Sequence, residues 1–511
     1  AFADCFGFDS SLTLSESLIN VEDKAFFNCN QLTGALVIPD KVTNIGSSAF
    51  ENCLSLNGVI SIGESLKSVG EKSFADCISL TGSLVFPSSL ESIGAKAFSN
   101  CILLDGNLDL GENTSSISDG AFSGCIGFDQ SLRAGKNITF GNNVFDGCSF
   151  NKLIVKGSAT VVDEGNFSFY LPFVTNSSLS FETGVEIINT GAFSGYAFTG
   201  DLDLANSILE VRTSAFENCG FDRYLYFSDS IKKIDDKAFK NTEFIGDLDF
   251  PELLIDLGNE AFYNCSGFTG DLVMGSNFNS VGDASFYNCY GFDGVLNLGD
   301  TLEEIGKSGF KNCYNLNGDL NIPSSVLFIN DEAFKSCTGF DGGIILGSVL
   351  RIENQSFSGC SNLTGVLDVP SFLEYMGDYS FANCSSLEVL CISNKIQSGV
   401  QPFLGCDFKE LCVSQPVSGI VSDGDYDWYK NPIYSFDTQS SLTFNGFLRY
   451  IGDNAFDNFG FTGDLILPDF LTGIGSGAFY NCQNFIGDLD IGASIKYIGE
   501  DAFKNCFGFD G

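Results

Sequence analysis

Apolar residues recur along this chain at a spacing too long for one helical turn and too regular for loops. In "LTGALVIPDKVTNIGSSAFENC" (residues 32–53), Leu36 and Ile38 alternate with Ala35 and Val37. That period of two predicts a short strand with one buried face. Pro39 ends the strand by withholding a ladder donor, and Gly63, Gly111 and Gly299 stand at the equivalent place in other copies. Val42 and Ile45 then point inward, Gly46 permits a tight corner, and Ala49, Phe50 and Cys53 close the turn. Nearly the same string, "FTGDLILPDFLTGIGSGAFYNC", returns at residues 461–482.

The phenylalanine of the "AF" or "SF" pair steps by 24 residues through Phe2, Phe26, Phe50, Phe74, Phe98 and Phe122. It continues through Phe145 and less regularly to Phe193, runs on to Phe403, and resumes at Phe456, Phe479 and Phe503. A period of 23–24 residues lies in the leucine-rich-repeat range. One such coil cannot bury its own apolar side chains, so coils must stack. The expected fold is mostly β: a leucine-rich-repeat solenoid of about twenty coils with a parallel sheet on one face. Phenylalanine and cysteine would form its interior columns.

The ladder breaks twice. Coils around residues 146–192 are irregular, and Tyr170 and Tyr196 take the place of the cysteine. Between Cys412 and Leu442 the strand spacing stretches to 30 residues around "DGDYDWYKNPIYSF", which holds the single Trp. The organisation expected is a long array over 1–413, an irregular island or hinge over 414–440, and a short array over 441–511. The alternative is one enlarged coil.

"LVIPDKVTNIGSSAFENC", "LNIPSSVLFINDEAFKSC" and "LVFPSSLESIGAKAFSNC" resemble the BspA-like (Treponema-pallidum-type) leucine-rich-repeat surface proteins over nearly the whole chain. The resemblance implies a right-handed solenoid on secreted and cell-surface proteins of bacteria and protists, often in adhesion. It also makes residues 414–440 look like the family's irregular terminal cap, here placed internally. One departure is the "TG" or "DG" before the strand, as at Thr33-Gly34 and Asp105-Gly106.

Fifty-two Phe and 58 Gly against two Met fit one pattern copied many times. A formal charge of −40 excludes nucleic acid and anionic membrane surfaces as partners. No apolar run approaches the eighteen or so residues that span a bilayer. With no histidine in 511 residues, Ser-His and Cys-His nucleophiles and histidine-ligated metals are excluded. No GxxxxGK[ST] phosphate loop is present. The chain is therefore read as no enzyme.

Seventeen of the 19 cysteines fall on the "AFxxC" ladder. They are expected as small buried thiols donating weakly to backbone carbonyls, with inter-rung disulfides as the alternative. A straight column cannot surround a tetrahedral zinc ion. Cys391 and Cys412 differ, standing in matching register at the outward position that Val37 takes elsewhere. They are candidates for a disulfide or an intermolecular crosslink, or else for exposed or partly covered thiols.

The outward row also carries Asp201, Asp203, Asp247, Asp249, Asp271, Asp319, Asp464, Asp488 and Asp490. Like charges on adjacent strands repel, so this stripe is either a calcium-binding face or a solvated one. No other cofactor is expected. Eight N-x-S/T sequons, at Asn113, Asn137, Asn166, Asn176, Asn264, Asn354, Asn362 and Asn383, are candidate glycosylation sites.

The chain opens "AFADCFGFDS" and closes "AFKNCFGFDG", with no polar cap at either end. The expectation is a window cut from a longer array, or copies docking tip to tip. The function expected is a non-catalytic extracellular or cell-surface scaffold working through protein contacts, copies of itself among them. It would serve as a fibre subunit or as an adhesin. The alternative is a calcium- or carbohydrate-binding surface module, with a carboxylate-based polysaccharide enzyme ranked last.

Overall fold

The computed structural model describes residues 2–135, 138–157, 161–163, 177–204, 206–392, 396–413, 420–421, 440–445 and 448–510. Among these every regular element is a strand, and the strands pair in parallel. The chain divides into two compact units, residues 1–231 and 232–511, each a stack of coils.

In the first unit Leu36–Ile38 pairs with Ile60–Ile62. From Leu84–Val85 to Leu225–Tyr226, seven strands then pair in chain order. Register sets each inward leucine over its copy: Leu84, Leu108, Leu132, Leu153, Leu179, Leu202 and Leu225. The row runs through the irregular coils, because Lys152–Val155 and Ser178–Phe181 keep the alternation. Tyr196 takes the cysteine's place there, buried with its N–H on the Phe193 carbonyl (3.1 Å). Tyr170 lies outside the described residues.

Each regular coil carries a second strand that the alternation of apolar residues does not reveal. Asn44–Ile45, just before the corner expected at Gly46, pairs with Ser68–Val69 within a six-stranded sheet from Asn20–Val21 to Thr139–Phe140. Two residues are too few to show a period, and only pairing between coils defines the element. The parallel sheet expected on one face is present, and a second strand row per coil adds to it.

The remaining side is held by a different device. Ser48 and Asn52 flank Phe50 with φ of 56° and 62°, and the same pair of left-handed residues recurs in coil after coil. A left-handed non-glycine residue costs roughly 1–2 kcal/mol. Here it turns alternate amides along the stack, so Ser48, Phe50 and Asn52 donate to Glu71, Ser73 and Ala75 of the next coil (2.7–3.0 Å). Asn tolerates the left-handed region best and adds a side-chain ladder. Asn52 Nδ2 donates to Asn28 Oδ1 (2.9 Å), and in the second unit Asn264, Asn288 and Asn312 each donate to the preceding Asn (2.7–2.9 Å).

Phenylalanine fills the axis. Phe26, Phe50, Phe74, Phe98 and Phe122 stack at 4.9–5.4 Å between centroids, with planes within 11°. Phe262, Phe286, Phe310, Phe334, Phe357 and Phe381 repeat this in the second unit at 4.8–5.7 Å. Beside them, each ladder thiol from Cys29 onward donates to the Phe carbonyl of the coil before. Cys77 reaches Phe50 O at 3.1 Å and Cys101 reaches Phe74 O at 3.1 Å. Burial raises both thiols well above the ordinary range and pushes Cys53 up to about 12. These sulfurs are neutral at physiological pH, and a neutral thiol is a poor nucleophile and metal ligand.

In the second unit the strands Glu410–Val413 and Ser441–Phe444 pair directly in register, as do Ile420–Val421 and Tyr450–Ile451. The coils on either side of the long spacing are thus neighbours. Residues 414–419 and 422–439 lie outside the described residues.

Candidate interaction surface

Because side chains alternate across a strand, the residues between the buried leucines face outward. In the first unit this row presents Val37 (55% exposed), Val59 and Val85. In the second it presents Val273, Ile345, Val366, Ile466 and Ile486, all exposed. The flanking residues are polar or acidic, so the face is an interrupted line of methyl groups, not one continuous apolar patch.

The acidic stripe separates into two kinds of residue. Asp201, Asp271 and Asp319 turn Oδ1 onto the backbone N–H of Tyr224 (3.1 Å), Val295 (2.8 Å) and Gly343 (2.7 Å) in the following coil. Asp490 accepts from Gly492 N (2.9 Å). Asp247 and Asp464 press against Gly270 and Gly487, where an added Cβ would lie 2.7 Å from the carboxylate. Asp203, Asp249 and Asp488 are exposed. Among the described residues no three acidic or cysteine side chains are placed to hold a metal ion. Three members of the stripe, Asp201, Asp271 and Asp319, thus serve as backbone braces, because the Asp that opens those strands lies within reach of the next coil's amide.

The "DG" before the strand works in the opposite direction. Asp105 and Asp293 accept from Gly82 N (2.7 Å) and Gly270 N (2.8 Å) of the preceding coil. This accounts for the departure from the family's repeat at those sites.

One charge cluster escaped the sequence reading. Asp109 stands on the outward row yet is buried, held by Arg133 Nη1 (2.9 Å) and an ion pair with Lys156. Arg133 also pairs with Glu182, to which its Nε donates at 3.0 Å. The available signal was a basic residue at an outward position in "SLRAG". Its partners lie one and two coils away and are invisible to a search for neighbouring charges.

Cys391 and Cys412 do pair strand to strand. They are not exposed or partly covered, however: they retain 9% and 1% of their surface, and Asn445 Nδ2 lies 2.9 Å from Cys412 Sγ. Among the described residues no cysteine is joined in a disulfide.

The sequons also divide. Asn137, Asn166 and Asn176 lie outside the described residues. Asn113 Nδ2 is committed to Ser88 O (2.8 Å), Asn264 Nδ2 to Asn241 Oδ1 (2.9 Å) and Asn354 Nδ2 to Asp331 Oδ1 (3.0 Å). Asn383 occupies a left-handed ladder position (φ 61°), and Asn362 is exposed.

The model of the BspA-type leucine-rich repeat region matches residues 1–128, 59–170, 165–293, 295–423 and 430–510. This chain belongs to the BspA-type leucine-rich-repeat family. Solved structures with a similar fold include a leucine-rich-repeat protein of Bacteroides ovatus, 16% identical over 98% of this chain and 85% of that one (TM-score 0.30). The Treponema pallidum leucine-rich-repeat protein is 27% identical over 29% of this chain and 74% of its own (TM-score 0.23). A leucine-rich cell-surface protein of Faecalibacterium prausnitzii is 19% identical over 65% and 86% (TM-score 0.22). No curated protein matches the chain. The family assignment rests on the repeats. In this BspA-type chain, as described, no helix is long and apolar enough to cross a membrane.

Proposed function

We propose that this BspA-type chain is a non-catalytic scaffold outside the cell that holds protein partners on its outward strand rows. The observation that carries the reading is the line of exposed apolar side chains, Val37 and Val85 in one unit and Val273 and Ile345 in the other, set on a rigid parallel sheet. Apolar side chains ringed by polar ones suit protein recognition, where burying each releases roughly 1.5–3 kcal/mol before ordering costs. The chemistry of catalysis is poorly supplied: the chain has no histidine, and burial keeps its ladder thiols protonated. The cell-surface description of the Faecalibacterium protein agrees with an exterior location.

Photo-crosslinkers placed at Val85 and Ile345 on intact source cells test this, with Ile126 as a control site away from the strand row. Protein adducts at the first two sites, and digestion of the chain by protease added outside the cells, are expected. Adducts equally abundant at Ile126, or a chain protected until the cells are lysed, would contradict the proposal.

A further inference from the structure

Within the first unit the outward face changes character over its last three strands. Register places Ser180, Asp203 and Tyr226 side by side, one per strand. The residues two positions earlier, Ser178, Asp201 and Tyr224, form a parallel line. Ser180 is buried, so the grid presents the Ser178 hydroxyl, then two carboxylates, then two aromatic rings across about 10 Å of sheet. Tyr224 and Tyr226 are 45% and 51% exposed, and their rings lie 6.1 Å apart, splayed by 38°. Elsewhere on this unit's row the large exposed residues are valines. Beside the grid opens a cleft of about 390 Å³ bordered by Asn151, Thr199, Asp201, Asp222 and Arg223. The Thr199 hydroxyl in its wall is buried and has no hydrogen-bond partner.

A ligand that suits this surface must offer an apolar face to the rings and a rim of hydroxyls to the polar groups. A pyranose ring has both. Its C–H face packs on an aromatic ring, and its hydroxyls donate to carboxylates in charge-assisted bonds stronger than neutral ones. The sign of the charge narrows the class. Asp201, Asp203 and Asp222 outnumber Arg223, so uronic and sialic acids are repelled. A protein hot spot, by contrast, is ringed by contacts that exclude water, whereas the strand beside these tyrosines carries Asp203. We propose that Tyr224, Tyr226 and Asp203, with the adjoining cleft, form a binding site for neutral pyranose oligosaccharides.

Calorimetric titration of the full chain with cellohexaose, maltohexaose, mannohexaose and N-acetyl-chitohexaose tests it, with a hyaluronan hexasaccharide as the anionic control. At least one neutral sugar should bind with Kd near or below about 1 mM. The Y224A/Y226A double variant should weaken that binding at least about tenfold, since it removes both stacking surfaces. D203N should weaken it less, and Ile126→Ser should bind as the parent does. Both rings are exposed, so an unchanged melting temperature shows that the fold is intact. The proposal is overturned if no neutral sugar binds, if the double variant binds like the parent, or if hyaluronan binds equally well. No protein partner enters the assay, so its failure and failure of the scaffold reading are separate results.

Discussion

Replacing Phe98 by alanine tests the axial column where it is most fully formed. Its ring is wholly buried, stacked on Phe74 at 4.9 Å and on Phe122 at 5.4 Å, with Phe86 edge-on at 5.8 Å. Truncating a buried Phe costs about 3–5 kcal/mol in transfer and cavity terms together. The three aromatic contacts, each worth roughly 0.5–1.5 kcal/mol, place this site toward the upper end. Phe2 provides the contrast: it has one stacked neighbour, Phe26 at 5.6 Å, and is 51% exposed. Phe2→Ala should cost about 1 kcal/mol or less. Because a coil draws its stability from its two interfaces, F98A should loosen the coils from Phe74 to Phe122 while leaving residues 232–511 unaltered. Guanidinium unfolding supplies the ranking, and hydrogen exchange read by mass spectrometry supplies the location. A midpoint shift for F98A no larger than for F2A, or protection lost evenly from both units, would refute the column as the source of stability.

The ladder thiols should be inert while folded: Cys77 and Cys101, raised by burial, should resist iodoacetamide at pH 8 and react only on unfolding, and the half-buried Cys5 and Cys506 should label first. Peptide mapping after timed alkylation checks the order. Partial burial pushes the Glu332 carboxyl up, but Lys311 Nζ (2.7 Å) and Lys335 Nζ (2.6 Å) outweigh it and hold the group at about 2 against an ordinary 4.5. A depressed folded value means the stabilisation is complete above the unfolded value and is lost as pH falls from 4.5 through about 2. E332Q should remove on the order of 1–3 kcal/mol at pH 7 and flatten the melting curve's acid dependence in that window. If the chain is expressed through a eukaryotic secretory pathway, Asn362 should carry glycan while Asn264, whose amide is committed to the ladder, stays bare. Glycopeptide mass analysis that finds Asn264 occupied would contradict the ladder assignment.

The repeat, its period and the identity of the interior columns were fixed by the order of residues alone. When every coil repeats the same apolar spacing, coaxial stacking is the arrangement that buries them all, and it sets Phe50 over Phe26 and Cys53 near the same turn. The sequence could not assign work to residues whose partners lie a coil away. Asp319 reads as one member of an acidic stripe until Gly343 offers it an N–H. Asn44 carries no apolar signal and counts as strand only once Ser68 pairs with it. Asp109 reads as exposed until Arg133 and Lys156 close over it. The left-handed turns at Ser48 and Asn52 carry no glycine to announce them, since their cost is offset by hydrogen bonds to the next coil. Those bonds exist only between coils, so tertiary structure alone decided which polar residues brace the solenoid and which are left facing solvent.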